Sequence, residues 1–335
     1  MTALAAHRRR RRIETTAVVY LALVVVVVIG AILVATVADR NFFSPGNIRD
    51  ILTGMSVLGL VAIGQTLVIL CGSLDLSVPY VVSLASLVAA ETMAGSAGNI
   101  ASGVLLALLV AALIGLANGL IVTGLKVNGF IATLGVGLIV KGYLDTMYQG
   151  SAGSVPPGFQ LIGATGIGPV PVSTLIMLGL ALVVWAFLRY TRTGSQMFAV
   201  GGDAAVARLS GVRTQPPVIV AHVVCSMCAA LAGLLIASRL GIGNPTVGTA
   251  GGYDLLSIAA VVLGGTLLLG GRGSIWGTVG GVAIFAVIDN VMSVMQVNPF
   301  LKDVVRGIVI VVAVAVYTGR VVHDRRARFA RKEQR

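Results

Sequence analysis

Long apolar segments follow one another along almost the whole chain, and this pattern limits the possible folds more than any other feature. A membrane-spanning helix needs about 20 predominantly apolar residues, and the sequence contains about ten such segments. Charged residues make up only 11% of the 335 residues, whereas a soluble domain has about 25%. The sequence therefore predicts an all-α membrane protein that crosses the bilayer about ten times.

The boundaries of the predicted spans come from the polar and charged residues between them. The spans form one transmembrane domain, residues 16–322, between a basic N-terminal segment (1–15) and a basic tail (323–335). The predicted spans are Thr16–Ala38, Ile51–Gly72, Val78–Ala94, Ile100–Leu125, Phe130–Tyr148, Val172–Tyr190, Val218–Leu240, Leu255–Leu269, Gly277–Met295 and Val304–Val322.

Basic residues are concentrated at one set of span ends. Arg8–Arg12 precede the first span, further arginines fill the C-terminal tail, and the loop 192–217 is also basic. Because arginine and lysine favour the cytoplasmic side, we expect both termini and this loop to be cytoplasmic, which requires an even number of spans. The uncharged loop 149–173 is then expected outside, and the protein in the cytoplasmic membrane.

The stretch CGSLDLSVPY, residues 71–80, interrupts the apolar pattern between the second and third spans. Pro79 fits the first turn of a new helix because its missing N–H is not needed there, and Ser77 is then the natural N-cap. We predict a broken, re-entrant element near Gly72–Pro79. Non-helical backbone at membrane depth is tolerated only inside protein or beside a water-filled cavity. Asp75 either ties down this backbone or contacts a polar solute.

Further polar residues lie inside the spans, where they are expected to face the bundle interior. Each is a candidate for the solute pathway or for bonding between helices. Lys141 and Asp145 lie four residues apart on one helix face and predict a structural ion pair. The pathway candidates are Gln65, Asp75, Ser77, Asn118, Thr133 and Asn290.

The loop between the sixth and seventh spans predicts a short helix over residues 203–209. Asp203 is a suitable N-cap, the alanines favour helix, and Gly211 can end it. Such a helix held at the membrane face is suited to docking a partner, although an ordinary solvated loop is the alternative. The glycine-rich run 264–281 lacks the G-K-[ST] of a phosphate loop. We therefore expect no cofactor in this chain and no ATP site.

Four motifs, in order along the chain, resemble those of ribose-type permeases of ATP-binding-cassette importers, within the branched-chain amino acid and monosaccharide permease superfamily. They are the stretch 71–79, the stretch 118–135, the stretch 198–212 and the stretch 252–278. Pro79 replaces a usual glycine and Asp254 a usual glutamate, so substrate choice is open. The resemblance assigns coupling to an ATPase to Gly201, Gly202, Asp203, Ala204, Ala205, Ala207, Arg208 and Gly211.

The resemblance implies a transport subunit rather than an enzyme. It implies two permease chains, identical or different, two cytoplasmic ATPase subunits that bind the ATP, and an extracytoplasmic solute-binding protein. The solute would be a monosaccharide or related polyol, moved by alternating access; nucleosides and branched-chain amino acids are the nearest alternatives. An ion-coupled secondary transporter with Asp75 or Asp289 as the titrating carboxylate is the rival mechanism. No nucleic-acid partner is expected.

Overall fold

The computed structural model describes residues 2–309 and residue 311. Apart from a 3-10 turn at Ala97–Asn99 and a two-stranded antiparallel hairpin, β1 (Gly166–Ile167) and β2 (Val170–Pro171), the regular elements described are α-helices. The helices are α1 (Thr2–Val37), α2 (Pro45–Leu70), α3 (Val78–Met93), α4 (Ile100–Gly124), α5 (Gly129–Met147), α6 (Pro157–Ala164), α7 (Val172–Tyr190), α8 (Arg192–Gly202), α9 (Ala204–Leu209), α10 (Gln215–Leu240), α11 (Val247–Ala250), α12 (Tyr253–Leu263), α13 (Ile275–Val294) and α14 (299–309).

The all-α, multi-span architecture is confirmed. Within the described part of the chain, seven helices are long and apolar enough to cross a membrane: α1, α2, α4 with its preceding turn, α5, α7, α10 and α13. The predicted third and eighth spans correspond to the shorter apolar helices α3 and α12. Helix α14 contains the start of the tenth; the rest of Val304–Val322 and the tail 323–335 lie outside the described residues.

The predicted end of the eighth span is wrong. The eighth span was expected to run to Leu269, but α12 ends at Leu263. Gly264 and Gly265 end it, because Gly265 has φ +86° and Gly264 lies against the backbone of Gly277. The first span is confirmed as Thr16–Val37, and its helix extends N-terminally to Thr2, so the described residues of the basic segment continue the helix of the span.

Polar caps determine where several helices begin. The Ser44 hydroxyl accepts from the Asn47 amide at the start of α2, and Pro45 occupies the first helical position. The Asn128 side chain accepts from the Phe130 amide at the start of α5. Because such side chains satisfy amides that lack a partner within the helix, these starts are fixed locally.

Helices α2 and α10 form the centre of the bundle. Every residue of α2 from Met55 to Leu70 is buried, and α10 packs against α2, α3 and α4. Gly115 and Gly119 let α4 approach α10 closely: a methyl group at Gly115 would lie 2.6 Å from the His222 carbonyl oxygen. Small residues four apart are a common device for packing membrane helices. One face of α4, which bears Leu105, Leu109 and Leu113, is exposed.

The connections lie at two ends of the bundle. At one end, which we call the α9 end, the amide of Gly271 donates to the Leu70 carbonyl, so the α12–α13 loop lies beside the end of α2. At the opposite end, Ala152 and Gly243 form a β-bridge between the loops before α6 and after α10. Helices α8 and α9 lie at the α9 end.

Candidate functional site

The segment Cys71–Ser77, between α2 and α3, is non-helical and largely buried. Gly72 has φ +77°, which a glycine adopts without steric cost, and it lies at the point where the chain leaves α2. The predicted break is therefore confirmed, and it lies inside protein rather than in an open loop. We call Cys71–Ser77 the broken segment.

Asp75 is the centre of the broken segment and is fully buried. Its Oδ1 accepts from the Ser77 amide at 3.0 Å and from the Ser77 hydroxyl at 2.6 Å. Its Oδ2 accepts from His222 Nδ1 at 3.3 Å and, in a longer contact of 3.5 Å, from Asn118 Nδ2. The carboxylate therefore links the broken segment to α4 and α10, as a buried charge needs several donors.

Further contacts extend this cluster. His222 Nε2 lies 3.2 Å from the Ser73 hydroxyl, and Asn118 Nδ2 donates to the Ser77 hydroxyl at 2.9 Å. The Thr133 hydroxyl on α5 accepts from the Leu76 amide at 3.0 Å. We call Ser73, Asp75, Ser77, Asn118, Thr133 and His222 the Asp75 cluster.

The predicted N-cap position of α3 is confirmed at Ser77, but the Ser77 hydroxyl makes no capping hydrogen bond. The hydroxyl accepts from Asn118 Nδ2 and donates to the Asp75 carboxylate. A hydrogen bond to a buried charge is among the stronger ones. The backbone carbonyl of Ser77 still accepts from the Tyr80 and Val81 amides.

The structure brings four of the six pathway candidates together and separates the other two. Asp75, Ser77, Asn118 and Thr133 lie in the Asp75 cluster, each fully buried. Gln65, also buried, lies on α2, where its Oε1 accepts from the Cys225 thiol at 3.5 Å. Asn290 lies on α13, where it donates to the Asn47 side chain at 2.9 Å.

Sequence reasoning did not include His222 or Ser73 among the candidates. The signal for His222 was present, because an ionisable side chain inside a predicted span is a functional hypothesis by default. Its partner was not visible, since Asp75 lies 147 positions away.

Two ion pairs involve other charged residues of the spans. Lys141 and Asp145 on α5 are joined at 2.5 Å, as predicted, but about half of each side chain is exposed (47% and 57%). Asp289 on α13 accepts two hydrogen bonds from the Arg306 guanidinium, at 2.9 and 3.0 Å. Both oxygens of the Asp289 carboxylate therefore have a partner on one guanidinium within the chain.

The predicted short helix is confirmed as α9. The Asp203 Oδ1 accepts from the Ala205 and Val206 amides, at 2.9 and 3.0 Å, and Gly211 with φ +79° follows the helix. Helix α8, which precedes it, was not predicted.

Helix α9 has one buried and one exposed side. Ala207, one of the assigned coupling residues, is buried, so its methyl group packs against the rest of the chain and does not face outward. Ala204, Ala205 and Arg208 are exposed. Val206 and Leu209, which sequence reasoning passed over, are also exposed, Leu209 to 89%. Val206 and Leu209 therefore give this six-residue helix an apolar exposed side, which is a candidate docking surface.

Comparisons with known proteins agree on the class of protein that this chain resembles. Residues 47–314 match the family described as branched-chain amino acid transport system / permease component. The ribose import permease protein of Escherichia coli (strain K12) is 38% identical over 292 residues, which cover 85% of this chain and 89% of that protein. The ribose import permease protein of Bacillus subtilis (strain 168) is 34% identical over 84% of this chain and 88% of its own length.

Two relatives carry other sugar names. The D-allose transport system permease protein of Escherichia coli (strain K12) is 32% identical, with 85% of this chain and 88% of that protein covered. The galactose/methyl galactoside import permease protein of Haemophilus influenzae (strain ATCC 51907 / DSM 11121 / KW20 / Rd) is 33% identical, with 83% and 88% covered. No solved structure matches the chain.

Proposed function

The chain belongs to the family of branched-chain amino acid transport system permease components, and on this premise we propose that it is the transmembrane permease of an ATP-driven importer of a monosaccharide or related polyol. The sugar class rests on the relatives, which are named for ribose, allose and galactose. As a permease component it is a transport subunit, and we infer that ATP is bound and hydrolysed by a separate subunit.

The observation that carries the proposal is the exposed side of α9. The helix is capped by Asp203 and anchored by the buried Ala207, and it presents Val206 and Leu209 outward. A groove on an ATPase subunit would cover these side chains, as amphipathic helices dock into apolar grooves elsewhere. A permease with no ATPase partner would have no use for such a surface.

Orientation follows from this docking surface. If α9 contacts an ATPase, the α9 end is cytoplasmic, in agreement with the arginine distribution. The opposite end, which carries α6 and the hairpin, then faces outward, where a solute-binding protein would deliver the solute. Multi-pass insertion with both termini inside is the arrangement we propose for the cytoplasmic membrane.

We expect cysteine labelling to report this orientation. The native cysteines Cys71, Cys225 and Cys228 are all buried, so they give little background. Gly158 on α6 and Ser210 after α9 are exposed, and a side chain at Gly158 meets nothing within 4 Å. An impermeant maleimide applied to intact cells should label Gly158→Cys and spare Ser210→Cys until the membrane is opened. The opposite labelling pattern would reverse the orientation.

The Asp75 cluster is proposed as the anchor of the broken segment beside the solute pathway. Support comes from burial, because each polar side chain in it is inaccessible in this conformation and is bonded to another helix. Two buried atoms, Asn118 Oδ1 and Gln65 Nε2, have no hydrogen-bond partner among the described residues. A second conformation of the transport cycle would give them partners, which keeps these residues candidates for the pathway.

The exposed ion pair on α5 supports a second permease chain. On insertion scales a charged side chain costs about 2.5–3.5 kcal/mol at the centre of a membrane helix. Lys141 and Asp145 lie between the centre and the end of α5 and are about half exposed. We infer that this face of α5 meets a second copy and the water-filled pathway rather than lipid. Cysteines at Leu138, which is 53% exposed and lies three residues before Lys141 on the same face of α5, should cross-link two copies, whereas cysteines at Leu105 on α4 should not.

The function is tested by purifying the tagged chain from its native host. We expect an ATP-binding-cassette ATPase and a solute-binding protein, encoded nearby, to co-purify or to reassemble with it. The binding protein, screened against pentoses, hexoses, nucleosides and branched-chain amino acids, should bind a monosaccharide. Binding to an amino acid or nucleoside alone would retain the importer but overturn the sugar class.

A further inference from the structure

Three glycine-containing segments that lie far apart in the sequence meet at one point of the α9 end. They are the end of α2 with Gly72, the end of α8 with Gly201, and the turn at Gly270 and Gly271. We call this contact the glycine junction. It connects, with backbone atoms alone, the segment that carries α9 and the broken segment that carries Asp75.

The contacts in the glycine junction leave no room for side chains. The Gly271 amide donates to the Leu70 carbonyl at 3.0 Å. A methyl group at Gly201 would lie 1.8 Å from the Leu70 carbonyl oxygen and 2.6 Å from the Gly271 nitrogen. One at Gly270 would lie 2.7 Å from the Gly72 nitrogen. Real Cβ atoms do not approach other atoms so closely, so these positions require glycine.

The position of the junction along the chain gives it a mechanical consequence. Gly201 lies two residues before Asp203, which caps α9, and Leu70 is the last residue of α2 before the broken segment. Close-packed backbones transmit a displacement, because they lack the side-chain rotamers that would absorb it. A shift of α9 by a partner must therefore move the junction or break it.

We propose that the glycine junction transmits the movement of α9 to the broken segment during transport, with Gly201 as its positioning residue. This inference rests on the proposed function, since it assumes that a partner moves α9. Three of the four sequence motifs also meet at the junction. The stretches 71–79, 198–212 and 252–278 each contribute backbone atoms to it.

Gly201 and a glycine outside the coupling residues provide a matched pair of variants. Gly201→Ala forces the α8 backbone away from Leu70, whereas a methyl group at Gly179 on α7 meets nothing within 4 Å. We expect Gly201→Ala to retain ATPase binding, since the exposed side of α9 is unchanged, but to transport roughly tenfold less solute per ATP hydrolysed, within the range seen for residues that carry coupling. Gly179→Ala should keep the wild-type ratio. Wild-type solute per ATP in Gly201→Ala would overturn the proposal.

A second measurement on the unmodified transporter covers the case in which Gly201→Ala does not fold. Hydrogen exchange would be followed in peptides that contain Leu70 and Gly271, with the ATPase either nucleotide-free or trapped with a non-hydrolysable analogue. Protection of both peptides should change together on trapping. Unchanged exchange in both, with a clear change in α9, would show that movement stops at α9 and would overturn the proposal.

The outcomes separate this inference from the proposed function. If no ATPase binds the wild-type chain, the proposed function fails, and there is no partner to move α9 and hence no movement for the junction to transmit. If ATP drives uptake in the wild type and Gly201→Ala leaves the coupling ratio unchanged, the proposed function holds and the junction alone is wrong.

Discussion

In a transporter that carries Leu209→Glu, the ATPase is expected to dissociate from the permease while the permease itself remains folded in the membrane. Leu209 is 89% exposed in the isolated chain, so glutamate there costs the fold little. In the docked complex the same change removes an apolar contact of about 2 kcal/mol. It also leaves a buried charge without a partner, commonly at a cost of several kcal/mol. Together these weaken docking at least about a hundredfold.

The measurement is co-purification of the ATPase with the tagged permease, with membrane amounts determined in parallel. Leu209→Met is the matched control, since it keeps an apolar side chain of similar volume and should retain the ATPase. Ala205→Glu, on the same helix, should behave like Leu209→Glu. Retention of the ATPase by both glutamate variants would mean that α9 is not the docking element.

The second large effect is expected from Asp75→Ala, which should prevent stable folding. Removal of the carboxylate leaves His222 and Ser77 with buried donors that have lost their acceptor. Breaking one side of a buried pair costs about 3–5 kcal/mol, a large part of the roughly 5–15 kcal/mol that holds a domain folded. We expect little protein in the membrane and a strongly lowered midpoint of thermal unfolding in detergent.

The Asp75→Asn variant separates the effect of the side chain's shape from the effect of its charge. The amide keeps the size of the side chain and one acceptor oxygen, so this variant should accumulate and unfold at an intermediate temperature. Transport by Asp75→Asn then reports on whether the charge matters in the cycle. A wild-type midpoint for Asp75→Ala would contradict the anchoring role of the Asp75 cluster.

Features governed by local rules could be predicted from the sequence. Helix α9 follows from Asp203, three alanines and Gly211, all within a few positions of one another. The broken segment follows from Gly72 and Pro79, which restrict backbone geometry wherever they occur. The apolar periodicity was sufficient for most spans, because the length of a span is set by the membrane.

Features that depend on distant partners could not be predicted. Asp75 and His222 are 147 positions apart, and the sequence around either residue does not identify the other as its partner. Ser77 is the N-cap of α3 as predicted, but the partners of its hydroxyl, Asp75 and Asn118, become apparent only in the folded chain. Helix α12 ends early because Gly264 packs against Gly277 of another helix. A boundary placed from composition alone does not take account of this contact.

The central claim is that ATP hydrolysed by a separate subunit drives solute through this chain. The most direct test is uptake of a labelled monosaccharide into vesicles reconstituted with the permease, its ATPase and its binding protein. We predict accumulation against a gradient only when hydrolysable ATP is enclosed with the ATPase and the binding protein is present on the other side. Accumulation driven by a proton or sodium gradient in the absence of ATP would contradict the account.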